Sequence, residues 1–82
     1  MSKILVIDDS EFMRKKTMDI LKSGGHDAYE AINGKNGLEE ADKVEPECVI
    51  LDLLMPDMDG FETLKELKRR RNTVPIIILT SD

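Results

Sequence analysis

Three short stretches of the sequence place reactive oxygen directly after an apolar run. Asp8-Asp9 follows Ile4-Leu5-Val6-Ile7, Asp52 follows Cys48-Val49-Ile50-Leu51, and Thr80-Ser81 follows Ile76-Ile77-Ile78-Leu79. If these ends meet, three carboxylates and two hydroxyls share one pocket. Like charges a few ångströms apart repel by about 4 kcal/mol per pair at an effective dielectric of about 20. Such a cluster therefore needs a cation, or raised pKa values, to be tolerable. An all-oxygen site that keeps several waters is what Mg2+ prefers, and a divalent ion there would neutralise charge on an incoming phosphoryl group. The plainer reading is that each Asp caps a helix or forms a turn. Asp57 and Asp59 are read that way, with Asp59-Gly60 turning the chain into a helix at Phe61. An acidic pair, a lone Asp and a Thr ending successive strong strands favour the shared site.

The elements that must position these groups follow from periodicity. The apolar runs are short, β-branched and unbroken, as in strands covered on both faces. From Ser10, a plausible N-cap, Met13, Thr17, Ile20 and Leu21 fall on one helical face. Arg14, Lys15, Lys16, Asp19 and Lys22 lie largely elsewhere, and Gly24-Gly25 stops the helix. His26 to Ala31 reads as a weak strand. Asn33-Gly34 turns into a short helix carrying Leu38 and Ala41, and Pro46 ends that connection. A loop from Leu53 to Gly60 leads to a helix with Phe61, Leu64 and Leu67 inward, and Pro75 opens the last strand. The order βαβαβαβ has crossovers long enough for parallel pairing and predicts an open doubly wound α/β sheet. Ligands of such sheets sit outside the carboxyl ends of the strands, where the acidic groups fall.

The bulk numbers narrow the setting. Eighty-two residues, 40% hydrophobic and 35% charged, make one small domain over residues 1–82 with a marginal core. A net charge of -5 argues against a nucleic-acid surface. Lys68-Arg69-Arg70-Arg71 suits the negative end of a helix dipole and lacks the aromatic companions of a nucleic-acid patch. A single cysteine, Cys48, read as a small core residue, fits a reducing compartment. No run is long enough for a signal peptide or membrane span, so a cytoplasmic location is expected. His26 reads as a surface or turn histidine.

Val6-Ile7-Asp8-Asp9-Ser10, the segment from Val49 to Gly60 with its Asp-x-x-Met-Pro-x-x-x-Gly pattern, and Pro75 to Thr80 together resemble the receiver domains of response regulators, chemotaxis-type included. The resemblance implies a flavodoxin-like sheet with strand order 2-1-3-4. It implies Asp52 as phosphoacceptor, and Asp8, Asp9, Asp52 and the backbone carbonyl of Leu54 as the Mg2+ ligands. Within that set Asp9 would bind directly and Asp8 largely through water. Thr80 would bond the phosphoryl oxygen, and Met55-Pro56 and Gly60 would shape the acceptor loop. The donor would be a sensor histidine kinase or a small phosphodonor, and the chain a phosphoacceptor module rather than a free-standing enzyme.

The family pattern continues through a further helix, a fifth strand bearing a Lys and a last helix, which these 82 residues do not contain; Lys65 and Lys68 are not placed to replace that Lys. The expectation is then a fourth strand that forms a long apolar edge and a first helix beside an uncovered apolar face. Either favours a homodimer or higher association. The competing functional reading is a receiver-like fragment that self-associates with little or no phosphotransfer. A flavin or nucleotide binder is disfavoured, because Asp8-Asp9-Ser10 stands where a Gly-rich phosphate loop would follow the first strand.

Overall fold

The computed structural model describes residues 2–54 and 60–79. The chain runs β1 (Lys3–Ile7), α1 (Glu11–Ser23), β2 (Asp27–Ala31), α2 (Gly34–Val44), β3 (Cys48–Asp52), α3 (Gly60–Arg70) and β4 (Ile76–Leu79). All strand pairs are parallel, in the order β2-β1-β3-β4. Alternating strands and helices predict the doubly wound sheet, and this order is the flavodoxin-like one that the family resemblance implies. The sheet reverses direction of growth between β1 and β3, so their carboxyl ends lie side by side.

Parity along the strands sorts the core. Leu5, Ile7, Val49 and Leu51 face one side and pack with Ala31, Ala41 and Leu67 under α2 and α3. Ile4, Val6 and Ile50 face the other side and pack with Met18 of α1. The two-residue alternation of a pleated strand leaves no other choice once both faces are covered. Unbroken aliphatic runs in β1 and β3 are thus what a sheet buried on both faces requires.

The caps match their sequence signals. Ser10 accepts the Met13 N–H at the start of α1, and Asn33 accepts the Asn36 N–H at 2.8 Å at the start of α2. Each satisfies one of the orphan donors of a first turn. Gly24 caps α1, and Gly25 follows at φ +86°, a conformation that side chains disfavour. At the other end of the site, a Cβ on Gly60 would lie 2.7 Å from the Leu53 backbone, so only glycine lets α3 begin this close to the end of β3.

Two helix faces differ from expectation. On α1 the buried residues are Arg14 and Met18, with Leu21 partly buried; Met13 is exposed and Ile20 is 65% exposed. The inward face is therefore rotated about one residue from the predicted one. Phe12, Met13, Met18, Ile20 and Leu21 place apolar groups around most of the helix, so spacing alone cannot orient it. On α3, Leu67 is buried and Leu64 partly so, as expected, but Phe61 is 64% exposed and Thr63 takes the inward place. Gly60, Thr63 and Leu67 recur at spacings of three and four and form the inward face, and Phe61 falls off it.

Candidate functional site

The first residue of the site is positioned by a strand ladder that runs past its own strand. The Asp8 N–H donates to the Ala31 carbonyl of β2 at 3.2 Å, continuing the β1–β2 pairing by one step. The chain then turns into α1 through an Asx-type contact in which the Ser10 N–H donates to Asp8 Oδ1 at 2.9 Å. Asp52, the last residue of β3, is held the same way: the Leu54 N–H donates to its Oδ1 at 2.9 Å. Both carboxylates are therefore fixed by the backbone two residues on, and both are buried.

Asp8, Asp9 and Asp52 each offer a carboxylate oxygen, and these oxygens lie within 4.8 Å of one another. They line a cleft of about 260 Å³ with Ser10, Met13, Leu54 and Leu79. Burial pushes the Asp8 carboxyl above its ordinary value of 3.8; the Ser10 N–H opposes this, and the neighbouring charge of Asp52 adds to it. Burial first, and then the neighbouring carboxylates, disfavour the charged form of Asp8, which a cation in the cleft would restore. The donor set is all oxygen, so it suits a hard divalent cation, and the three Asp residues can hold one.

The structure thus brings together Asp8, Asp9, Asp52 and Leu54, four of the five residues singled out from the sequence. The fifth, Thr80, lies outside the described residues, as do Met55, Pro56 and Ser81; its neighbour Leu79 lines the cleft. One residue was missed. Arg14, placed largely off the apolar face of the first helix from the sequence, is buried at 6% exposure and reaches the end of β1, where Nη1 donates to the Asp8 carbonyl at 2.9 Å. Its i, i+4 spacing to Met18 was the available signal, masked by the charged run Arg14-Lys15-Lys16.

Away from the cleft, Glu66 lies near Arg69 and Arg70, whose hydrogen bonds hold its carboxyl down to about 2. Cys48 is partly buried against the α1-side core, and burial pushes its thiol up, away from the thiolate form. No helix among the described residues is long and apolar enough to cross a membrane.

Comparison with known proteins agrees with this geometry. Residues 4–82 match the response regulator receiver domain family. A protein-glutamate methylesterase/protein-glutamine glutaminase of Treponema denticola is 38% identical over 96% of this chain, which spans only 22% of that protein's length. The chemotaxis protein CheY of Thermotoga maritima is 32% identical over 96% of this chain and 67% of its own. In three dimensions, the N-terminal domain of a response regulator receiver protein from Methanoculleus marisnigri JR1 superposes with a TM-score of 0.92 at 34% identity, covering all of this chain and 68% of that one. With strand order, acidic strand ends and the span of the match in agreement, the chain belongs to the response regulator receiver domain family.

Proposed function

We propose that the chain is the phosphoacceptor of a two-component relay, taking a phosphoryl group on Asp52 from the phosphohistidine of a sensor kinase or from a small phosphodonor. The observation that carries this reading is the meeting of three carboxylate oxygens within 4.8 Å beside an open cleft. Asp8, Asp9, Asp52 and the Leu54 carbonyl would hold Mg2+. The ion, when bound, offsets the negative charge of carboxylates and phosphoryl oxygens.

The protein's own part is alignment. The Leu54 N–H fixes the rotation of the Asp52 carboxylate, so one oxygen can be presented in line with the bond to be broken. That oxygen forms a new bond to phosphorus as the bond to the donor nitrogen or oxygen breaks, and the leaving group keeps the electron pair. Thr80 would donate to a phosphoryl oxygen in the product. Water later cleaves the acyl phosphate and returns Asp52. The reading makes the chain a regulatory module working in the cytoplasm. The activities for which its Treponema relative is named are not carried over, because the chain spans 22% of that protein.

Incubation with Mg2+ and acetyl phosphate tests the proposal. The expected result is one added phosphoryl group by intact mass, absent in Asp52→Asn. Unchanged mass at saturating donor, together with unmoved NMR signals from Asp52 in the presence of fluoroberyllate, would rule the reading out for this chain.

A second reading is self-association through β4, and it has its own support. Ile77 is 51% exposed, Ile78 and Leu79 are also exposed, and no described strand pairs with the outer edge of β4. An exposed apolar edge is a template for another chain. Light scattering after size exclusion is expected to give a dimer at micromolar concentration, and a clean monomer would sink this second reading.

A further inference from the structure

We infer that Arg14 is a positioning residue for the acidic cleft, setting the relative aim of Asp8 and Asp9 by clamping the peptide between them. The inference rests on the reading of Asp8, Asp9 and Asp52 as a Mg2+ site and goes beyond it in assigning control of that site to a residue outside the cleft.

A guanidinium at 6% exposure is costly unless its donors are engaged. Here Nε donates to Glu30 Oε1 of β2 at 2.7 Å, and Nη1 donates to the Asp8 carbonyl at 2.9 Å. That carbonyl belongs to the rigid, planar peptide joining Asp8 to Asp9. The preceding peptide is pinned from the other side by the bond from the Asp8 N–H to Ala31. With both peptides fixed, the direction in which Asp9 leaves β1 is fixed as well. The planar fork of arginine spans an acceptor on β2 and one on β1 at once; a lysine offers a single point of contact and cannot hold both in the same geometry.

Charge leads the same way. Glu30 takes Lys15 Nζ at 2.8 Å in addition to Arg14. Two cations share one carboxylate at the corner where α1 meets β2, and this pairing holds the Arg14 guanidinium in place for its bond to the Asp8 carbonyl. Partners one step removed from a metal's ligands commonly change its affinity by ~10–100-fold.

Titration with Mg2+, followed through the backbone amide shifts of Asp9 and Asp52, tests this in the full chain and in Arg14→Met, Arg14→Lys and Glu30→Gln. Arg14→Met is expected to weaken Mg2+ binding by about tenfold or more. Arg14→Lys keeps the charge, so its smaller but clear loss isolates the part due to geometry. Glu30→Gln, which leaves Arg14 without its anchor, is expected to fall between them. Should Arg14→Met fail to fold, the other two carry the comparison. Thermal midpoints without Mg2+ separate the roles, since a merely structural residue would lower the midpoint and leave the affinity of the folded protein unchanged. That outcome would overturn the inference while leaving the Mg2+ site intact; a wild-type protein that binds no Mg2+ would overturn both.

Discussion

The two faces of the sheet are built from the same aliphatic residues and end in different states. Under α2 and α3, Leu5, Ile7, Val49, Leu51 and Leu67 are all sealed from water. On the α1 face, Val6 is sealed and Ile4 and Ile50 nearly so, while toward β4 Ile77 stands 51% exposed; on β4 the other face loosens as well, at Ile78. Among the described residues, α2 and α3 pack on one face and α1 on the other. Burial, rather than residue type, thus decides what each leucine or isoleucine contributes to stability.

The largest effect should come from opening a cavity on the sealed side. Leu51→Ala is expected to cost about 3–5 kcal/mol in urea unfolding, against less than about 1 kcal/mol for Ile77→Ala. Equal losses would erase the contrast between the faces. Next comes the tight junction beside Asp52: Gly60→Ala drives a methyl to 2.7 Å from the Leu53 backbone and should cost about 1–3 kcal/mol. It should also shift the Asp52 amide resonance, which a mutation on the α1 face would leave in place.

A smaller effect is pH-dependent. Hydrogen bonds from Lys15 and Arg14 lower the Glu30 carboxyl below its ordinary 4.5. A depressed carboxylate contributes stability that is present above pH 4.5 and lost as pH falls through its lowered value. Glu30→Gln should therefore flatten the acid limb of thermal midpoint against pH below 4.5. An unchanged limb would show that the α1–β2 corner is no tighter than the open surface. The smallest effect is expected at Phe61, where replacement by Ser should move stability by no more than about 0.5 kcal/mol.

How far these features could be read in advance depended on whether neighbours in the chain or distant ones decide them. The β1 and β3 runs and the acidic residues at their ends follow from local pattern, the strand order came with the family resemblance, and the carboxylates of Asp8, Asp9 and Asp52 meet as the shared-site reading expects. The orientation of α1 did not follow. Apolar residues surround that helix, and what turns Arg14 inward is Glu30, on a different strand. Phe61 misled for a similar reason, since an aromatic at helical spacing was taken for core while the inward face of α3 runs through Gly60, Thr63 and Leu67. The hydroxyl expected from Thr80 falls outside the described residues.

The pairing of β1 with β3 has a kinetic corollary. Asp8 and Asp52 are separated by more than half of the chain, and they become neighbours only when these two strands zip together in parallel. Ordering so long a loop is slow compared with forming any single helix. During refolding, the ability to capture a divalent ion should therefore lag behind the circular-dichroism signal of the helices, and a metal-sensitive probe would time the closing of the sheet's centre.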